Sequence, residues 1–566
     1  MILKNHIKYR IIKNIKFTNL LFFLFLSFII FNWFYFVKLE KLANPDFYKY
    51  FFEFKRIISG KIQFRNSTPL FTLLMGLLGK FLSLFINSKD SYILSGRIIS
   101  LLSSIGFIFY TYKIFQCFTN KTSIIITVFL LISPFFLKLI ALPITDITYA
   151  FFMVFSFYFL LKQNKSKSII GVILAALTRY EGFLLIISLI INYLNIIKKN
   201  IKKNIIITFF ISPLIIIFYI KFANRLTKKI ISIFTNNFLL TFITHPEKLI
   251  HILYENILFF IPYQYPSLVK WILIYILIIF SFIGFYKIYR QNKLFALSIL
   301  FYFVSFTFGK GYIISKGSIN MLNPNIAFRR MFSFIFIFYF FSIIGLYFFL
   351  KYIKEKLKKK DILYYVLIIL LTLIILTSKF NFSYKLLIGY LIIFSILFIQ
   401  ISKIKSKLLL KGFLISLLLF FIINIYTKSF IKTKNYYSSA PQKGAYMIAK
   451  WANSHLKEGS VLLTYSGIKT IKYYLNKKIA LIRIKTKNKN IYSNIKNLRE
   501  YLIKKFKKYK ITYIGIDNYL NFKERPGETA IKIFLNSQKY SSRYFKLIKV
   551  LLYKNNYTGC ILKFLK

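Results

Sequence analysis

Phe17-Thr-Asn-Leu-Leu-Phe-Phe-Leu-Phe-Leu-Ser-Phe-Ile-Ile-Phe-Asn-Trp-Phe-Tyr-Phe-Val37 runs for 21 residues without a charged side chain. A helix of about 20 such residues covers the roughly 30 Å hydrocarbon core of a bilayer. The chain as a whole has the same character: 566 residues, 57% hydrophobic, 20% aromatic, mean hydropathy +0.60. That is more apolar surface than a soluble core can hide. Apolar stretches recur near 92–112, 122–138, 146–162, 168–179, 182–196, 205–222, 269–287, 294–309, 331–350, 362–378, 384–401 and 408–427. The fold class read from them is a polytopic α-helical membrane protein with about thirteen transmembrane helices. The fifth span is short, and Leu177-Thr-Arg179-Tyr-Glu181-Gly182 at its end sets opposite charges beside a glycine, which predicts a turn into the sixth.

Lysine and arginine outnumber the acids 82 to 15, a net charge of +67. In a soluble protein this would suggest nucleic acid. Here the cations fall largely between the spans or in the last quarter of the chain, and nucleic acid is not an expected partner. The basic stretches Lys4–Arg10, Lys162–Lys167, Lys198–Lys203, Lys287–Lys293, Lys351–Lys360 and Lys403–Lys411 all lie on one side if the spans number thirteen. By the positive-inside rule that side is cytoplasmic, together with the N-terminus. Cys117 and Cys560 are the only cysteines and support no disulfide framework. The topology places Cys117 inside and Cys560 outside.

The outer loops, about 38–91, 139–145, 179–181, 223–268, 310–330 and everything after 427, then collect the notable ionisable residues. Asp46, Arg97, Asp146, Arg179, Glu181, Arg329 and Arg330 sit in them or within a turn or two of an outer helix end. Charges near membrane depth face a cavity or a partner, whereas arginines at helix ends also simply reach for headgroups. In the first loop, Phe47, Tyr50, Phe51, Phe54, Ile57 and Ile58 recur at helical spacing opposite Lys49, Glu53 and Arg56, which predicts an interfacial amphipathic helix closed by Ser59-Gly60. A second helix from Pro69 to Ile86 is expected to lie on the outer surface, since a crossing would invert every later loop. Asp46 opens the first helix, and Asn44-Pro45-Asp46 also reads as a plain turn and N-cap.

After residue 427 the long apolar runs stop. Helices at Ala440–Leu456, Ile468–Leu475, about 491–509 and 528–537 alternate with strands at Ser460–Tyr465, Ile479–Ile484, Ile511–Ile516, 544–553 and 558–565. This predicts a small extracytoplasmic α/β domain, 428–566, after a transmembrane domain, 1–427. Its lysines do not oppose that location, because long domains translocate largely regardless of charge.

Asp46 with Tyr50, Ser59-Gly60, Pro69-Leu70, Ser95-Gly96-Arg97, Ser133-Pro134 before Thr145-Asp146, Leu177-Thr-Arg179-Tyr-Glu181-Gly182 and Phe328-Arg329-Arg330 follow one another in an order that resembles the GT-C membrane glycosyltransferases. Within them the chain is most similar to the group holding protein O-mannosyltransferases and lipid A aminoarabinose transferases. The resemblance covers most of the membrane region and extends to Gly444–Tyr474. It departs at Phe47, where many relatives carry a second acid after the loop aspartate. Glu53 is a weak substitute, on the same helix face as Asp46.

The resemblance implies an inverting hexosyl- or pentosyltransferase of the cell membrane and envelope. Such an enzyme moves a sugar from a polyprenyl-phosphate donor to a hydroxyl of a protein, lipid or glycan on the outer side. A single carboxylate suits that chemistry: the attacking hydroxyl needs a base, but a departing phosphate is already a stable anion and needs no acid. A glycoside hydrolase usually needs two. The expected roles are therefore Asp46 as base; Arg97, Arg179 and Arg329 or Arg330 at the donor phosphate; and Asp146, Glu181 and Tyr50 orienting substrate or arginines. Glu247, His251 and Glu255, four apart behind Pro246, line one helix face that would hold a divalent cation or be merely solvated. The sequence specifies no other cofactor. A transporter or flippase for lipid-linked glycans is the alternative from another class, though no internal repeat is visible. A polymerase or ligase acting on lipid-linked glycans shares the donor chemistry.

Overall fold

The computed structural model describes residues 2–39, 42–43, 46–60, 69–119, 123–179, 267–303, 324–356, 425–431, 443–464, 468–482, 508–517, 545–553 and 556–564, with a few single positions between them. The spans expected at 182–196, 205–222, 362–378 and 384–401, and most of 408–427, lie outside these residues. So do the helices expected at 528–537 and, for most of its length, 491–509. Packing groups the chain into two compact units that do not follow sequence order. One holds Met1–Ile30, Ser103–Ile140 and Asp146–Thr433; the other holds Phe31–Leu102, Ala141–Thr145 and Lys434–Lys566.

The helices in chain order are α1 (Ile2–Leu39), α2 (Phe47–Ile58), α3 (Pro69–Leu82), α4 (Ser88–Thr119), α5 (Ser123–Leu131), α6 (Pro134–Leu139), α7 (Thr145–Leu161), α8 (Lys165–Thr178), α9 (Ser267–Gln291), α10 (Lys293–Phe303) and α11 (Pro324–Lys356). Among the described residues, two helices are long and apolar enough to cross a membrane, α1 over Phe22–Leu39 and α4. The surface of α1 carries Leu20, Phe23, Leu24, Phe31 and Phe34, each more than half exposed and spaced to form a stripe. Exposed apolar stripes of this kind suit hydrocarbon and not water.

The span expected at 122–138 is broken in two. Ser133 adopts an extended backbone (φ −64°, ψ 140°) and caps α6 by accepting from the Phe136 amide at 3.2 Å. Proline at position 134 disfavours helical geometry in the residue before it and is tolerated at the first helical position after it. In the same unit α9 and α11 pack closely. A Cβ on Gly284 would strike the backbone of Phe341, and one on Gly345 would strike that of Phe280. Ser342 Oγ donates to the Leu277 carbonyl at 2.9 Å across the same seam. Small residues let two apolar helices approach backbone to backbone, the usual solution where water gives no hydrophobic drive.

In the other unit, α2 ends as expected. Ser59 closes it and Gly60 follows at φ 75°, a left-handed position that glycine adopts without steric cost. Its aromatic stripe, however, is not offered to lipid. Phe47, Tyr50, Phe51 and Phe54 are buried with Phe71 and Met75 of α3, Ile93 and Ile99 of α4, and Tyr473. The amphipathic pattern was a core pattern, because a stripe of large rings buries more area against protein than it would half-sunk at an interface. Only Ile58 at the end of that stripe is largely exposed. The exposed apolar row in this part of the chain belongs to α3 and the turn after it: Leu74, Leu77, Phe81, Leu84 and Phe85.

The residues after 442 form α12 (Lys443–His455), β1 (Val461–Thr464), α13 (Ile468–Tyr474), β2 (Ala480–Ile482), β3 (Tyr513–Asp517), β4 (Phe545–Tyr553) and β5 (Asn556–Phe564). The five strands make one sheet in the order β2-β1-β3-β5-β4. β1 runs parallel to β2 and β3, with Leu463 opposite Ile482 and Ile514, while β3, β5 and β4 are antiparallel neighbours. Helix α12 lays Ala445, Ile448, Ala449 and Ala452 on Leu462 and Ile561 of the sheet.

Candidate active site

Asp46 occupies the N-cap position of α2, but its side chain makes no capping hydrogen bond. The carboxylate is paired with the ammonium of Lys49, one turn along the same helix. Both remain open to solvent, with 25% of the Asp46 side chain and 41% of the Lys49 side chain exposed. A carboxylate so placed can accept a proton from an incoming hydroxyl. The sequence puts Lys49 on the polar face of this helix without a role at the site, although three-residue spacing is enough to pair it with Asp46.

The opposite side of α2 fixes the helix. Tyr50 is buried, and its hydroxyl lies 3.2 Å from Oγ1 of Thr145, the residue before Asp146 in the chain. Tyr48 is fully buried under Tyr473 and Tyr474 of α13, with ring centroids 5.1 and 6.2 Å away and its hydroxyl 3.5 Å from that of Tyr474. Tyr473 in turn donates to the Lys89 carbonyl. Burial pushes the phenols of Tyr48, Tyr473 and Tyr474 above the usual tyrosine range, reinforced at Tyr48 and Tyr473 by the neighbouring tyrosines, whereas the hydrogen bond with Tyr48 pulls Tyr474 the other way. This tyrosine cluster carried no signal in the sequence, since more than 400 residues separate its halves.

Arg97 is 5% exposed. Its guanidinium donates to the Leu42 carbonyl at 3.2 Å and the Val37 carbonyl at 3.5 Å, and its own carbonyl accepts from the Trp33 indole at 3.0 Å. These contacts tie α4 to the end of α1 and the chain leading into Asp46. Its neighbours in the sequence do similar work. Ser95 donates to the Met75 carbonyl at 2.8 Å and Ser100 to the Leu142 carbonyl at 2.5 Å, while Gly96 leaves room for Pro143. Ser95-Gly96-Arg97 thus gathers α3, the Asp46 approach and residues 142–143 around α4.

In the other unit the structure joins Asp146 and Arg179. Asp146 lies in the first turn of α7 and Arg179 is the extended residue that ends α8, and the guanidinium pairs with the carboxylate. Asp146 is 2% exposed and Arg179 19%. The chain then turns with the Gly182 amide donating to the Arg179 carbonyl at 3.0 Å. Arg329 and Arg330 are in the second turn of α11, and nothing of their side chains is described. Glu181 and the Glu247, His251 and Glu255 set lie outside the described residues.

No protein-family model matches the chain. No curated protein matches it. Among the solved structures that resemble it are two of one protein. One is ArnT from Cupriavidus metallidurans bound to undecaprenyl phosphate, with TM-score 0.48 and 12% identity over 95% of this chain and 97% of that one. The other is ArnT from the same organism in the apo state, with TM-score 0.48 and 13% identity over the same shares. Both neighbours are GT-C aminoarabinose transferases, a group the residues themselves resemble.

Proposed function

We propose that the protein is a multi-pass membrane glycosyltransferase that moves a sugar from a polyprenyl-phosphate donor to an acceptor hydroxyl, with Asp46 as the base. The observation that carries this reading is the accessible carboxylate of Asp46, held at the head of a helix whose other side is locked by buried aromatic rings. The acceptor oxygen attacks the anomeric carbon, the bond from that carbon to the phosphate oxygen breaks, and the hydroxyl proton passes to Asp46. The phosphate leaves as an anion with the bonding electrons, so one carboxylate suffices. Attack opposite the leaving group inverts the anomeric centre.

Rigid placement matters as much as the base, because a reacting pair held at 3–3.5 Å gains most from pre-paid orientation. Arg97 serves that end by securing the chain before Asp46, and Tyr50 by fixing α2 to Thr145. Arg179, with 19% of its side chain exposed, is a candidate for the donor phosphate together with Arg329 or Arg330, while Asp146 orients Arg179. The exposed rows on α1 and α3 fit a chain that lives in lipid and takes its donor from the membrane, on the side opposite the basic loops. The decisive experiment is sugar transfer from a radiolabelled lipid-phosphate donor by purified Asp46→Asn protein. Loss of transfer with an unchanged unfolding midpoint is the expected result, and near-normal transfer removes the assignment.

A further inference from the structure

We propose that Tyr473, on helix α13 of the C-terminal α/β fold, is a positioning residue for Asp46. The inference deepens the glycosyltransferase reading and rests on it for the role of Asp46. Helix α2 has 12 residues, and a helix that short owes its place to packing. The ion pair of Asp46 with Lys49 lies within one turn of the same helix and moves with it, so it does not fix the carboxylate against its surroundings. The next two residues do. Phe47 and Tyr48 are fully buried, and the ring of Tyr473 reaches both, at centroid distances of 5.9 and 5.1 Å. It also meets Phe51, one turn along from Phe47, at 4.7 Å. The contacts with Phe47 and Phe51 are edge-on, at 82° and 80°, the arrangement that aromatic quadrupoles favour. One ring thus grips the turn of α2 that follows the candidate base.

Tyr473 is itself held from two sides. Its hydroxyl donates to the Lys89 carbonyl at the start of α4, and the Lys89 ammonium donates to Oδ1 of Asn476, just past the end of α13, at 2.6 Å. From α12, Asn453 Nδ2 donates to the Tyr474 carbonyl at 2.9 Å, and its Oδ1 accepts from the Asn476 amide at 2.8 Å. Tyr474 packs on the core that α12 shares with the sheet. The seat of α2 therefore depends on residues more than 400 places further along the chain. A base has to meet the attacking hydroxyl within about 2.6–3.2 Å. A displacement of about 1 Å costs about 100-fold in rate.

Transfer kinetics of the full-length protein in detergent test this role. Tyr473→Leu, which keeps apolar bulk but removes the ring edges, should lower kcat about 10- to 100-fold with both KM values within about threefold of wild type. Tyr473→Phe restores the ring and should keep kcat within about threefold. Asn453→Ala, which loosens the end of α13 with the Tyr473 ring intact, should lower kcat about 3- to 10-fold. Leu462→Ala, in the core between α12 and the sheet, controls for lost stability: it should lower the unfolding midpoint and leave kcat within about threefold. In the Asp46→Asn background, Tyr473→Leu should change the residual rate by less than about threefold, because residues that act as a unit are not additive. Normal kcat in Tyr473→Leu and Asn453→Ala, an equal loss in Leu462→Ala, or the same fold-loss with and without Asp46 overturns the positioning role and leaves the base assignment standing. Near-normal transfer by Asp46→Asn removes the base assignment, and the positioning role with it.

Discussion

The two acid–cation pairs differ more than their composition suggests. Asp46 and Lys49 are three residues apart on one helix and both are partly exposed, whereas Asp146 and Arg179 are 33 residues apart, join two helices, and bury the acid to 2% exposure. An exposed local pair contributes at most about 1 kcal/mol and leaves its carboxylate accessible. A buried pair contributes little net stability as a whole, yet removing one partner strands a charge and costs roughly 3–5 kcal/mol. Accessibility, more than charge, separates a carboxylate that can react from one that holds structure.

The sharpest way to break this contrast is Asp46→Asn. It should lower transfer by about 100- to 10,000-fold, the usual range for a lost general base, while the thermal midpoint in detergent stays where it was. Asp146→Ala is expected to cost stability as well, about 3 kcal/mol in unfolding free energy. Adding Arg179→Leu to Asp146→Ala should then cost much less than the sum of the single changes. Additive costs would show that the buried pair does not act as a unit.

Alkaline pH tests the setting of Asp46 more gently. Tyr48, Tyr473 and Tyr474 are held above the usual phenol value of about 10, so the folded protein keeps protons that the unfolded chain releases. Their contribution is complete below about pH 10 and is lost as pH climbs through the higher folded values. Unfolding midpoints followed by circular dichroism from pH 8 to 11 should therefore decline only at the top of the range. Tyr473→Phe combined with Tyr474→Phe should flatten that decline, and an undiminished slope would detach the tyrosines from it. The smallest effect is expected from Lys49→Gln, within about 1 kcal/mol of wild-type stability. A larger loss would mean that the exposed pair is structural after all.

Local features of the fold were legible wherever neighbours in sequence dictate geometry. The alternation after residue 442 yields Lys443–His455, Val461–Thr464, Ile468–Tyr474 and the two long strands Phe545–Tyr553 and Asn556–Phe564 close to the expected positions. Ser59-Gly60 stops α2 as read. Ser133-Pro134 splits the apolar run at 122–138, which hydropathy does not register because it is blind to a missing amide hydrogen. What sequence could not express was which surface receives the rings of α2. An apolar stripe reads the same against lipid or protein, and packing by α3, α4 and the distant α13 distinguishes them. For the same reason the difference in exposure between Asp46 and Asp146 is not written in the sequence, because it comes from packing by distant segments.

The order of strands in the sheet also bears on how the protein is made. β5 lies between β3 and β4, although it is the last strand in the sequence. During synthesis β1, β2 and β3 leave the ribosome first and can assemble on α12, but β3 keeps an open edge until residues 556–564 emerge. Messages that end before residue 556 would therefore yield chains with an unsealed edge, the kind of surface that aggregates and that proteases find. Sealing of β3 therefore waits for a strand that follows β4 in the chain.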